Sequence, residues 1–307
     1  MQPACICGKP SVYKKGNIVL CRKHFIQNIE RRVKRIVGKH SMLGRGDRIA
    51  FALSGGADSG VATCILHSIL RPRKDIKYFA ITLDEGTKHE KRLEKAKKLC
   101  KRLEIEHHIF SGKKEFRIDT AFHSKKMENK LAASTYGGIL KKYMLNRIAR
   151  QLHATKVCVG HNLDDEAQTI IMNFLRGDSL KASRLGFITN SSTKKERGEL
   201  FIPRIKPLRE ISQEETKLYA LLMGLPAEKR NLDKEGLRHS VAKFLRKLEA
   251  RHPGTKANVL HTYEKMLPHI RKSTAEREGP IILCRICGEP SSQETCRTCE
   301  LWMASAQ

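Results

Sequence analysis

Between Asp47 and about Gly177, short apolar runs alternate with longer helical patterns, and that alternation leaves few folds open. Ile49 to Leu53 reads as a strand, Ala57 to Leu70 as a helix, Ile76 to Leu83 as a strand, and His89 to Leu103 as a charged amphipathic helix. Ile105 to Phe110, Ile139 to Leu152, Thr155 to Val159 and Asp164 to Leu175 continue as strand, helix, strand and helix. Strands fed by crossover helices line up in parallel, and the helices cover both faces. The expected fold class is therefore α/β, a parallel sheet with helices on both sides. Ligands on such sheets bind beyond the carboxyl ends of the strands. The chemistry is expected just after Leu53, Leu83 and Val159.

The first of those edges carries Ser54-Gly55-Gly56-Ala57-Asp58-Ser59. Glycines let the backbone approach a phosphate and adopt conformations closed to other residues. Backbone N–H groups then converge, and the following helix adds its positive end. Ser54 and Ser59 can donate hydroxyl hydrogen bonds; Asp58 can cap the helix or orient a magnesium ion. A plain strand-to-helix turn capped by Asp58 or Ser59 explains these six residues equally well. No lysine closes the turn, so it is not the G-x-x-x-x-G-K-[ST] loop. A second edge decides between the two. Gly160-His161-Asn162-Leu163-Asp164-Asp165-Glu166-Ala167-Gln168-Thr169 also follows a strand and opens a helix. An Asn/Asp cap with an acidic first turn is the structural explanation. Two adjacent carboxylates beside a phosphate turn read better as magnesium ligands. Thr82-Leu83-Asp84-Glu85-Gly86 ends another strand on the same edge.

SGGADS, LDEG and GHNLDDEAQT, in this order, resemble the PP-loop, or N-type ATP pyrophosphatase, superfamily. The basic ERRVKR helix behind a Cys/His module, NFLRGD after the Asp pair, RIKPL at Arg204 to Leu208 and a C-terminal double CxxC narrow the resemblance. Together they look like the TtuA-type tRNA 2-thiouridine synthetases, over nearly the whole chain. That family adenylates the uridine O2 of tRNA, releases pyrophosphate, and places sulfur at C2. The resemblance implies that Ser54, Gly55, Gly56, Asp58 and Ser59 hold the pyrophosphate portion of ATP, with Ala52 and Asp84 completing the nucleotide site. It implies that Gly160, His161 and Asp165 face the nucleotide, with Asp165 acting in catalysis or on Mg2+. Lys141 matches a family lysine near the reacting centre. A ubiquitin-like sulfur-carrier protein and a homodimer are further implications.

The family also carries a CxxCG motif just before that lysine and a third cysteine after RIKPL, which together hold an iron–sulfur cluster. Here Ser134-Thr135-Tyr136-Gly137-Gly138 stands in the first place, and Leu225-Pro226-Ala227-Glu228 has no cysteine. Cys64 lies in an apolar helix, Cys100 in the helix before Leu103 and Cys158 in a core strand, and free cysteine is commonly buried. These positions speak against an iron–sulfur cluster. They leave three routes for the second half-reaction: sulfur delivered directly by a thiocarboxylated carrier, an amine nucleophile as in lysidine synthetases, or a non-thiolating paralogue that partners an active homologue.

Cysteines also mark both ends. Cys284-x-x-Cys287 and Cys296-x-x-Cys299 have the paired spacing of a tetrahedral four-cysteine zinc site. Cys5, Cys7, Cys21 and His24 form a less regular set, because the family pattern would place a cysteine where Ala4 stands. Two structural Zn2+ sites are expected. The organisation expected is an N-terminal module with its basic helix at 1–40, an ATP-binding domain at 41–210, a helical region at 211–278 and a C-terminal module at 279–307.

Charge supplies the partner. Lys and Arg number 60 against 32 Asp and Glu, a net +28. A surplus of that size attracts polyanions, and Lys/Arg contacts to phosphate release condensed counterions. Arg31, Arg32, Lys34 and Arg35 are dense and flank the first module; with Arg204 and Lys206 they are the expected tRNA contacts. Aromatic residues make up 6%, so recognition by shape and phosphate fits better than stacking. No run approaches the roughly 20 apolar residues needed to cross a bilayer, and the N-terminus lacks a signal-peptide pattern. A cytoplasmic location is expected, with its ten cysteines as reduced thiols or metal ligands.

Overall fold

A computed structural model describes residues 4–84, 90–112, 133–189, 200–225, 236–277 and 279–306. The polar stretch Asn190 to Glu199, the Glu85-Gly86 pair and Pro226-Ala227-Glu228 lie outside the described residues.

Alternating side chains explain the central sheet. In β3 (Arg48–Ala52), Ile49 and Phe51 belong to one buried cluster and Ala50 to another, as period-two geometry requires. β3 pairs in parallel with β4 (Lys77–Asp84) and with β6 (Lys156–Cys158). β4 carries β5 (His107–Ser111) at one end, and β6 carries β8 (Arg204–Ile205) at the other, both parallel. β7 (Ile188–Thr189) closes the edge antiparallel to β8, giving the order β5-β4-β3-β6-β8-β7. The chain runs outward from β3 to β5 and then returns to β6 on the other side of β3. Strand order therefore reverses between β3 and β6, where a ligand crevice opens in sheets of this kind.

One face is covered by α1 (Arg22–Lys39), α2 (Ala57–Leu70), α3 (Glu90–Leu103) and α7 (Gln213–Leu222), whose apolar stripes share a core with Phe51 and Leu53. The other face is covered by α4 (Ala133–Gln151) through Leu140, Met144 and Ile148. α5 (Leu163–Leu175) follows β6 and packs with α6 (Ser179–Ser183), α8 (Leu237–Arg251) and α9 (Thr255–Thr274). Pro253-Gly254 separates α8 from α9, with Gly254 in the left-handed region at φ 96°. At the ends, the hairpin β1 (Tyr13–Lys15) and β2 (Ile18–Leu20) precedes α1, and β9 (Ile282–Leu283) and β10 (Pro290–Ser291) precede α10 (Arg297–Ala306). No helix among the described residues is long and apolar enough to cross a membrane.

Candidate active site

The phosphate turn is built by a hydroxyl pair and a close approach. Ser59 Oγ accepts from the Ser54 N–H at 3.2 Å, lies 3.0 Å from Ser54 Oγ, and donates to the Gly56 carbonyl at 3.1 Å. This curls the chain between β3 and α2 and brings both hydroxyls to one spot. Gly55 has φ 72°, and a Cβ there would meet the Arg92 carbonyl oxygen at 2.0 Å. Both the backbone conformation and the first turn of α3 therefore require glycine. Asp58 opens α2, and its Oδ1 accepts a 2.8 Å hydrogen bond from Thr216 Oγ1 on α7. Thr216 is fully buried. Sequence alone did not point to it. It follows the Ser212-x-x-Glu215 capping box that opens α7, and nothing local tells that it reaches Asp58 across the fold.

The loop after β6 lies directly against this turn. A Cβ on Gly160 would meet the Asp58 carbonyl carbon and the Ser59 nitrogen at 2.6 Å each. The two motifs separated by about a hundred residues are thus in backbone contact at the switch point. Asn162 and Asp165 form a capping box: Asn162 Oδ1 accepts from the Asp165 N–H at 3.1 Å, and Asp165 Oδ2 accepts from the Asn162 N–H at 3.5 Å. Asp164 points elsewhere. It accepts from the Gln213 N–H at 2.8 Å and from Lys256 Nζ at 2.5 Å. With these two contacts Asp164 ties α5 to α7 and α9. His161 opens to solvent yet is ringed by protein. Desolvation, with Lys206 and Arg204 nearby, holds its imidazole below the ordinary value against the pull of Asp165 and Glu166. Asp84 ends β4 and Ala52 ends β3 on the same edge. Lys141 is half-buried on α4.

The expected RNA contacts separate into two groups. Arg31, Lys34 and Arg35 stand on the outer side of α1, while Phe25, Ile29, Val33 and Ile36 are buried. Arg32 is drawn inward: Nη1 donates to Glu215 Oε1 at 2.5 Å and Nη2 to the Glu210 carbonyl at 3.0 Å. Tyr13 donates to the same carboxylate at 3.1 Å, so the hairpin module, α1 and α7 meet on Glu215. Lys206 is not on the surface. It is 4% exposed, and Nζ donates to Glu166 Oε1 at 2.7 Å. Arg209, fully buried, donates from Nε to Glu166 Oε2 at 2.7 Å and also pairs with Glu264. Burial alone would push the Glu166 carboxyl up, but Lys206 and Arg209 outweigh it and hold it down. Lys206 therefore anchors α5 to the loop after β8 and does not reach an RNA phosphate. Arg204 is half-buried, with Nη2 donating to the Lys142 carbonyl at 3.3 Å.

Both cysteine sets assemble. Cys5, Cys7, Cys21 and His24 bring one donor atom each to within 4.8 Å of one another, as do Cys284, Cys287, Cys296 and Cys299. Cys5 joins its set despite the irregular spacing, 3.2 Å from His24 Nδ1. Hydrogen bonding from the Cys7 backbone, then from His24, brings the Cys5 thiol down to about 6. Burial pushes the Cys284 thiol up, but backbone donors at Cys296, Cys287 and Ile286 outweigh it and bring it down to about 6. A lowered thiol is more readily the thiolate that ligates metal. The donor chemistry of each set fits a metal centre.

Residues 25–231 match the family model of the PP-loop domain. The tRNA 2-thiolation protein NcsA of Haloferax volcanii is 33% identical over 96% of this chain and 96% of its own length. The tRNA-5-methyluridine(54) 2-sulfurtransferase of Pyrococcus horikoshii is 30% identical over 92% of this chain and 87% of its own. Among solved structures, the U34-tRNA thiolase NcsA from Methanococcus maripaludis, with its [4Fe-4S] cluster, superposes with a TM-score of 0.80. It is 29% identical and covers 99% of this chain and 96% of its own. The chain belongs to the PP-loop family of ATP-using enzymes.

The metals expected from sequence are corrected by these findings. Zinc in both modules, with an iron–sulfur cluster argued away, does not stand beside a cluster-bearing relative of this similarity and a four-cysteine group in this chain. Thiolates ligate zinc and iron–sulfur clusters alike, so CxxC spacing does not name the metal. Ser134 and Gly137 mark only one stretch of chain, and the C-terminal thiolates lie outside it.

Proposed function

We propose that this enzyme uses ATP to adenylate a tRNA uridine at O2 and then replaces that oxygen with sulfur at C2. The observation that carries the reading is the backbone contact of Gly160 with Asp58 and Ser59, which joins the two nucleotide motifs into one site. Relatives that thiolate tRNA, matched along most of the chain, support the substrate. In the first step the uridine O2 attacks the α-phosphorus of ATP, and the bond to the β-phosphate oxygen breaks with loss of pyrophosphate. The N–H groups and hydroxyls of the Ser54–Ser59 turn meet the charge that builds on the departing pyrophosphate. Thr216 holds Asp58 in place for this. Asp165 and Lys141 are the residues we assign to the reacting centre. In the second step a donor's thiocarboxylate sulfur attacks C2, adenosine monophosphate leaves with the former O2, and water cleaves the acyl–sulfur bond, leaving sulfur on C2 and a carboxylate on the donor.

The substrate's phosphates are assigned to the outer side of α1, at Arg31, Lys34 and Arg35. The four thiolates of the C-terminal group have the donor set of an iron–sulfur cluster. Such a cluster, when bound, supplies iron able to ligate sulfur. The cellular place assigned is the cytoplasm, and the sulfur donor assigned is a ubiquitin-like thiocarboxylated carrier. The test of the activation step is product analysis with purified protein, ATP and tRNA. The expected product is pyrophosphate, formed only with tRNA present or exchanged into ATP; formation of ADP and phosphate would contradict the reading.

A further inference from the structure

A cleft of about 490 Å³ lies between α4, the C-terminal end of α9 and the C-terminal cysteine module. Its volume is that of small-ligand sites, which run from about 300 to 1,000 Å³. The three nucleotide motifs described above do not line it. Four of its side chains matter: Lys142 and Tyr143 from α4, Phe201 from the approach to β8, and Arg204 from β8 itself. Cys296 of the four-cysteine group forms part of the opposite wall.

Among the described residues, the charges lining this cleft are unbalanced. Lys142 Nζ has no hydrogen-bond or ion-pair partner among the described residues. The charged groups that act on it most strongly are Arg204, Arg238, Lys206 and Lys181, all cationic. Desolvation by the protein around it, although the side chain reaches solvent at the mouth of the cleft, and then these neighbours hold its ammonium below the ordinary value. The lining carboxylate, Glu289, does not compensate. It is 5% exposed, accepts from Asn146 Nδ2 at 3.3 Å, and lies 3.6 Å from Arg150. A cluster of cations with an excess over its carboxylates forms a site for an anion. Tyr143 and Phe201 are half-buried in the same cleft and offer flat apolar faces. Phosphate beside planar aromatic surface is the chemistry that recognises a nucleotide unstacked from its strand. The lining on α4 also flanks Lys141, the lysine assigned to the reacting centre, with Ile139 before it and Lys142 after it.

We infer that this cleft takes one nucleotide unit of the RNA substrate, its phosphate on Lys142 and Arg204 and its base against Phe201 and Tyr143. This rests on the tRNA reading above and extends it with a defined subsite. A free mononucleotide shares the same chemistry, so the experiment separates the two sources. Binding of tRNA is measured at several salt concentrations for wild type, Lys142→Ala, Lys142→Glu and Phe201→Ala, with ATP affinity as the control for folding. Lys142→Ala is expected to weaken tRNA binding about tenfold and to flatten the salt slope by about one unit. Lys142→Glu should weaken it further, and Phe201→Ala about tenfold at unchanged slope. Wild-type affinity in all three variants, with wild type itself binding tRNA, overturns the subsite and leaves the tRNA reading standing. Failure of wild type to bind tRNA overturns both. Uridine 5′-monophosphate that binds wild type but not Lys142→Glu, while tRNA affinity is the same in both, assigns the cleft to a free nucleotide and overturns the inference.

Discussion

At the scale of single residues, the site depends on atoms that are absent. Gly55 and Gly160 each bring backbone within a distance that a Cβ would occupy. The first was legible from the SGG pattern, and so was the importance of the second motif. The contact between them was not, because it joins strands far apart in sequence. Asp164 and Asp165 show the same limit. Adjacent in the chain and alike in chemistry, they face different partners: Asp164 faces Lys256 and Asp165 faces the Asn162 cap. No local pattern separates such neighbours; the third dimension does. Lys206 reads as an RNA contact from its basic neighbourhood, yet the fold buries it on Glu166. Gly160→Ala should lower ATP affinity at least about tenfold, because the new methyl displaces the Asp58–Ser59 backbone, an overpacking cost of about 1–3 kcal/mol. Titration of ATP binding by calorimetry checks this, and wild-type affinity in the variant would remove the claimed contact.

At the scale of elements, periodicity reads well where a segment buries one face. The helix expected at Ala57 to Leu70 has those bounds, and the strand expected at Ile76 to Leu83 is shifted by one residue. α1 runs well beyond the basic ERRVKR segment at its centre, and its terminal residues Arg22, Lys23, Gly38 and Lys39 carry no apolar signal. The two-residue strands β7 and β8 are too short for any alternation to show. What holds α5 beside the phosphate turn is also invisible in sequence: Glu166 sits between Lys206 and Arg209, which come from another segment. Removing one partner from a buried ionic cluster leaves an uncompensated charge. Glu166→Gln should therefore destabilise the protein by about 3–5 kcal/mol. The urea midpoint reports this, with the slope unchanged; a midpoint equal to wild type would show the cluster to be dispensable.

At the scale of the molecule, a PP-loop sheet is flanked by two metal-binding groups and carries a net charge of +28. The fold class and the superfamily were legible because a few glycines and carboxylates fall at strand ends in a fixed order. The metal was not, because a thiolate at a given spacing serves more than one ion. Protein isolated without oxygen is expected to carry iron and acid-labile sulfide, both lost in Cys284→Ser and Cys299→Ser variants. Protein free of iron and sulfide would contradict the assignment of a cluster to these thiolates. The most direct test of the central claim is the nucleoside content of tRNA from cells lacking this gene, measured by mass spectrometry. The account predicts loss of 2-thiouridine derivatives, restored by the wild-type gene and not by Asp165→Ala. Retention of 2-thiouridine, with loss instead of an amine-conjugated base, would contradict it.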